Sequence, residues 1–275
     1  MAHRYTRFVR GIGQVKAALG TGTGGIQVVA ALAGWNLGNF LFFVIAGRLL
    51  GPEDYGLVAA LLGVTMIVFV PASAFQYAMA REAAIGSQLR RAAALYRYAW
   101  RRVAVASVVL AVATTTTVVV LDQVTAVPLP EVLLTIAVVG PMAGLLMSLG
   151  WLQGRGRFGA FSWALGLLGA LRPPALLVLA VAMSGVYAAL GASALITLGI
   201  AWLAWHLTRS DTRDGDPAEL RASWRGYLGA LPPLAIGFAG LAALTNLDIV
   251  AAKILLDDAT AGHFGAAAIL AKGLL

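Results

Sequence analysis

The chain has 275 residues, of which 60% are hydrophobic and 12% charged, and its mean hydropathy is +0.84. A water-facing domain carries about 25% charged residues, so the polar coat of a soluble protein is missing and lipid is the natural solvent. The sequence has no cysteine and only three scattered histidines (His3, His206, His263), which argues against disulfides, thiolate metal sites and any cofactor.

Residues 1–25 are polar and basic, with Arg4, Arg7, Arg10 and Lys16, and read as a cytoplasmic N-terminal segment. The run Gly20 to Gly25 lacks the Gly-Lys-Ser/Thr ending of a nucleotide loop and reads as a flexible entry. Apolar runs long enough to cross a hydrocarbon core of about 30 Å follow at 26–47, 56–80, 103–121, 132–152, 160–183, 188–207 and 227–252. An eighth begins near Gly262 and stops at Leu275. Open strands would leave backbone groups unpaired in lipid, so the spans are predicted to be helices. Span one is longer than the core of a secretory signal and is expected to be retained. The expected fold is all-α: a polytopic membrane bundle with a first six-helix lobe at 26–207, a cytoplasmic linker at 208–226 and the start of a second lobe at 227–275. Seven complete crossings and part of an eighth suggest a piece of a longer protein with about twelve spans or more.

Direction follows from Lys and Arg. The N-terminal segment, the loop at 81–102, the pair Arg155 and Arg157, and the set Arg209, Arg213, Arg221 and Arg225 hold sixteen of the twenty basic residues. The opposite turns carry Glu53, Asp54, Asp122, Glu131, Asp257 and Asp258, so the N-terminus is expected in the cytoplasm. The net charge of +8 then reports orientation, and nucleic acid is not an expected partner. The loop at 81–102, with six arginines and Tyr96, Tyr98 and Trp100, reads as an interfacial helix on anionic lipid. Trp100, Trp151, Trp202, Trp205 and Trp224 read as an interfacial belt.

Several polar residues interrupt the spans. Arg172 lies about twelve residues into span five, and a charge at mid-bilayer costs at least about 2.5–3.5 kcal/mol. Pro173 and Pro174 follow it and should break the helix. In span one, Asn36 and Asn39 are three residues apart and should share a face, with Gln27 a further candidate. Gln76 and Arg81 mark the inner end of span two, and Asn246 and Asp248 the outer part of span seven. Gly34 and Gly38, and Gly140 and Gly144, have the small-xxx-small spacing of close helix contacts.

Two outward turns look alike. One runs from Ala46, Gly47 and Arg48 through Gly51, Pro52, Glu53 and Asp54 to Tyr55 and Gly56. The other runs from Ala251, Ala252 and Lys253 through Asp257 and Asp258 to Phe264 and Gly265. They lie six spans apart, which would make them parallel repeats.

The segment Gly47 to Leu57 resembles the first outward loop of bacterial polysaccharide-biosynthesis membrane proteins, the O-antigen and teichoic-acid exporters of the multidrug/oligosaccharidyl-lipid/polysaccharide flippase superfamily. Asn246 to Val250, followed by Lys253 and Phe264-Gly265, is similar to that family's span-seven motif. The resemblance implies two six-helix lobes around an alternating-access cavity in the bacterial inner membrane. It also implies a lipid-linked glycan as cargo, and glycan polymerase or glycosyltransferases as pathway partners besides membrane lipids. The head group of such a carrier is an anionic phosphate or pyrophosphate. Arg172 is then the leading substrate-binding candidate, with Asn36, Asn39, Gln76 and Arg48 beside it. Asp248 and Asn246 are candidates for ion coupling. Each also has a plainer role: Arg172 as a helix brace, the asparagines as interhelical hydrogen bonds, Arg81 as an inner anchor, and Asp248 as a partner of Lys253 or Arg48. Multidrug or lipid II export is an alternative within the superfamily. A membrane-embedded glycan enzyme is disfavoured by outward loops of about ten residues or fewer, and no enzymatic activity is expected.

Overall fold

A computed structural model describes residues 23–85, 89–120, 129–213 and 220–273. The chain forms helices α1 (Thr23–Leu49), α2 (Pro52–Ala84), α3 (Leu89–Val120), α4 (Leu129–Gly154), α5 (Phe158–Ala170), α6 (Arg172–Ala180), α7 (Gly185–Arg209), α8 (Leu220–Leu255) and α9 (Asp258–Gly273), and no strand occurs among the described residues. Among the described residues, five segments are both long and apolar enough to cross a membrane: Gly24–Leu49, Leu129–Gly154, Phe158–Ala180, Gly185–Arg209 and Tyr227–Thr245. The protein is a helical membrane bundle. The N-terminal arginines and residues 214–219 of the expected linker lie outside the described residues, and residues 220–226 of that linker belong to α8.

Packing is set by where backbones can meet. Gly38 of α1 and Gly169 of α5 face each other so closely that a Cβ on either would strike backbone: that of Gly169 from the first, that of Trp35 from the second. Gly150 and Gly154 of α4 lie against the backbone of Gln76 and Ala80 of α2 in the same way. Without a hydrophobic drive between helices in lipid, such close approach is what van der Waals packing and weak contacts require. Of the glycine pairs expected from spacing, Gly140 and Gly144 meet Ser107 and Trp100 of α3, and Gly38 meets α5. Gly34 faces open space.

Three buried clusters follow from these contacts. One joins α1, α2, α6 and α7 through Phe42, Tyr55, Val58, Leu176 and Leu190. A second joins α4, α5 and α7 through Leu145, Leu149, Leu152, Leu168 and Ala204. The third lies where the arginines gather and ties α2, α3, α4 and α8 through Met79, Leu95, Tyr96, Trp151 and Tyr227. Trp151 is fully buried there against Tyr96, so it is a core residue and not part of an interfacial belt. The sequence could not separate the two, because the inner end of α4 is covered by α3 only in three dimensions.

The two similar turns have the same backbone pattern. Leu50 and Gly51 link α1 to α2, and Leu256 and Asp257 link α8 to α9. Leu50 N–H donates to Ala46 O at 2.9 Å and Tyr55 N–H to Gly51 O at 2.9 Å; Leu256 N–H donates to Ala252 O at 2.9 Å and Ala261 N–H to Asp257 O at 2.8 Å. This register pairs Gly56 with Gly262, and Arg48 with Ile254. The side-chain likeness of Tyr55-Gly56 to Phe264-Gly265 is therefore out of step with the backbone. The hairpins also touch, with Gly262 against the Pro52 backbone and Gly265 near Ala59.

Candidate functional site

The site begins with a break in a helix. Pro173 and Pro174 have no N–H, so the α-helical hydrogen bonds to Gly169 and Ala170 cannot form. The span divides at Leu171 into α5 and α6, and Arg172 opens α6. The interruption is slight: Leu171 keeps a right-handed helical backbone, its N–H donates to Leu167 O at 3.0 Å and its carbonyl accepts from Ala175 N–H at 3.1 Å, and Arg172 faces inward, 7% exposed.

Its partners are neutral. Nη1 donates to Asn39 Oδ1 of α1, and Nη2 donates to Ser193 Oγ of α7 at 2.7 Å. Ser193 Oγ in turn donates to Ala189 O at 2.9 Å, so its lone pairs face the guanidinium. The Phe42 ring lies 4.5 Å from Arg172 Cζ, in cation–π geometry. Nε is buried without a partner. Beside the guanidinium is a cavity of about 30 Å³ bounded by Trp35, Thr65, Met66, Met142 and Thr197. That is room for one or two waters. The hydroxyls of Thr65 and Thr197 donate to Leu61 O and Ser193 O at 2.7 Å each, which leaves acceptor lone pairs near this space. The arrangement can stabilise an anion or ordered water, and it lacks any nucleophile–base pair. Among the described residues no group of three or more His, Cys, Asp or Glu is placed to hold a metal.

The other candidates do not converge on Arg172. Asn39 does, but Asn36, expected on the same face, is exposed. Gln76 donates from Nε2 to Gln153 Oε1 at 3.1 Å, bridging α2 and α4 instead of meeting the cavity. Arg48 is exposed at the outer end of α1, and Gln27 and Arg81 are exposed as well. Asp248 is exposed on α8, whereas the side chain of Asn246 lies outside the described residues.

Two features escaped sequence reading. Ser193 and Thr197 resemble ordinary small polar residues of an apolar helix, and only the packing of α6 on α7 brings Arg172 to Ser193. Glu131 was counted among outward turn acids, yet it is 6% exposed in the first turn of α4, with the Tyr187 side chain hydrogen-bonded to it and Oε2 unpartnered. Position at a helix start explains the charge sign, but burial of the carboxylate depends on α7.

The basic end is knit separately. Tyr96 Oη lies 2.8 Å from Ser148 Oγ and 2.7 Å from Thr208 Oγ1, all three buried. Arg97 Nη1 donates to Arg213 O at 2.9 Å. Arg157 Nη1 donates to Leu207 O at 2.9 Å and pairs with Asp211 Oδ2 at 2.8 Å.

Comparison of the chain with protein-family models, curated proteins and solved structures gave no match.

Proposed function

We propose that the chain is a transporter subunit that moves an anionic amphiphile, of the class of lipid-linked glycan precursors, across the bacterial cytoplasmic membrane by alternating access. The observation that carries this reading is Arg172: a guanidinium inside a membrane bundle whose partners among the described residues are neutral, at the proline interruption of its span and beside a small, mostly apolar cavity into which the hydroxyls of Thr65 and Thr197 reach. An ionisable group inside a membrane is expensive and marks a transport pathway by default. A phosphate would satisfy the guanidinium better than an amide and a hydroxyl do, because it brings the opposite charge and can accept two parallel N–H bonds from the guanidinium fork.

The space beside Arg172 is too small for a sugar head group, so the structure corresponds to a closed state under this reading. Opening would part α6 from α1 or α7 at Leu171 and exchange Asn39 for the anion. The matched hairpins α1–α2 and α8–α9 support a two-lobe arrangement, with the basic end in the cytoplasm, and the resemblance of the Gly47–Leu57 turn to glycan exporters supports the cargo class.

The test is reconstitution of the chain in liposomes holding a fluorescent polyprenyl-pyrophosphate oligosaccharide, with transfer between leaflets read by an external quencher. Faster transfer by the wild type than by empty liposomes is expected, with loss of that increment in Arg172→Met. The methionine keeps apolar bulk, and replacing a buried charge in this way is often neutral or stabilising. A folded Arg172→Met chain that transfers the probe at the wild-type rate removes the head-group role. A wild-type chain no faster than empty liposomes overturns the transport reading.

A further inference from the structure

An apolar groove runs between α3, α4 and α7, away from Arg172. It encloses about 290 Å³ and is lined by Trp100, Ser107, Pro141, Leu198, Trp202 and Trp205, with Gly140 and Gly144 in its floor. The floor is shallow because these glycines let α3 approach α4, where a Cβ at Gly144 would meet the Trp100 indole at 3.1 Å. Trp202 remains 62% exposed, so the groove opens sideways from a bundle that sits in lipid.

Its charge is lopsided. On α7, Arg209 lies just beyond the groove, with its guanidinium 5.6 Å from the Trp205 ring. On α3, exposed Arg101 follows Trp100 directly, and Arg97, one turn earlier, binds the carbonyl of Arg213, four residues past the end of α7. The nearby carboxylate of Asp211 is engaged by Arg157. Apolar walls therefore lead to a cationic mouth. Trp100 Nε1 is buried without an acceptor against the groove floor at Gly144.

We infer that this groove is a binding site for one anionic phospholipid, with an acyl chain along Val103, Ser107 and Leu198 and the phosphate at Arg209 and Arg101. A juxtamembrane arginine contributes about 1 kcal/mol towards an anionic lipid, and tryptophan suits the boundary between chain and head group. The site differs from Arg172 in place and chemistry and does not depend on the transport reading.

Native mass spectrometry of the purified chain, titrated with phosphatidylglycerol or phosphatidylcholine, tests it. One phosphatidylglycerol should be retained after those of lower affinity are stripped, in preference to phosphatidylcholine. Ala104→Trp, which fills the groove from its α3 side, should remove that adduct. Arg209→Gln, at an exposed position where folding is safe, should keep the adduct but lose about fivefold of the head-group preference. Equal retention of both lipids, or an adduct unchanged in both variants, overturns the assignment. A dimer dispersed by Ala104→Trp would give the groove to a second copy of the chain and overturn it too.

Discussion

Arg157 and Arg172 each stand where a helix begins, the end at which backbone dipoles disfavour positive charge. Arg157, at the N-cap of α5, escapes by reaching across to the far end of α7, where the Leu207 carbonyl and Asp211 receive it. Its side chain and that of Asp211 are 37% and 31% exposed, so water and a counter-ion share the charge. Arg172, at the start of α6, has an amide, a hydroxyl and a ring, and almost no water. Arginine is a brace in one region and an unmet electrostatic demand in the other. Only the second has reason to receive an anion, and the difference is made by the neighbours and not by the arginine.

The largest way to break this contrast is to move the neighbours. Gly169 lies three residues before Arg172, where α1 and α5 meet backbone to backbone. Gly169→Leu should force the helices apart and carry Asn39 away from the guanidinium, with a loss of about 3 kcal/mol for overpacking without a flexible atom to yield. Thermal unfolding in detergent should register it as a large drop in midpoint. A midpoint close to wild type would mean that α1 and α5 are not held together here.

A smaller change sharpens the contrast without moving helices. Asn39→Ala leaves Nη1 of a buried cation without its acceptor, which should cost about 1–3 kcal/mol. In the Arg172→Met background there is no cation to leave unpaired, so the same substitution should cost much less. Equal costs in both backgrounds would make Asn39 a packing residue, and the polar site would reduce to Arg172 and Ser193.

How much of this was written in the chain depends on the distance over which the physics acts. The apolar core of each span was legible, because lipid demands an unbroken apolar run and Pro173-Pro174 announces its interruption. Arg172 stood out for the same reason: a charge inside such a run has no local excuse. Its partners did not. Asn36 and Asn39 looked equivalent by helical phase, yet only the latter, next to the close Gly38–Gly169 contact, meets Arg172, and Asn36 is exposed. Gln76 pointed towards a head group on paper, but Gly150 draws α4 so close to α2 that Gln153 reaches it first. The basic stretch before span three was misjudged: residues 89–102, expected as an interfacial helix on lipid, run on into α3 as one helix and bury Leu95 and Tyr96 against α4 and α8. Glu131 and Trp151 departed from expectation in the same direction, both buried, and through one cause: position along the helix predicts depth in the membrane, and says nothing about which side meets protein.

The smallest expected effect lies at the basic end. Arg157→Ala removes a pair that is about one-third exposed and already shared with a carbonyl, so it should cost no more than about 1 kcal/mol. Salt is the sharper probe. Surface charge is screened over about 8–10 Å at moderate ionic strength, so the cost should shrink as salt rises. The cost of Asn39→Ala, sheltered inside the bundle, should stay constant over the same range. If the two costs fell together, both arginines would be equally open to the aqueous phase, and the electrostatic distinction between the interior and the basic end would fail. If only the Arg157 cost fell, the interior site would be electrically isolated from the solvent, the condition under which an anion arriving at Arg172 would feel its full charge.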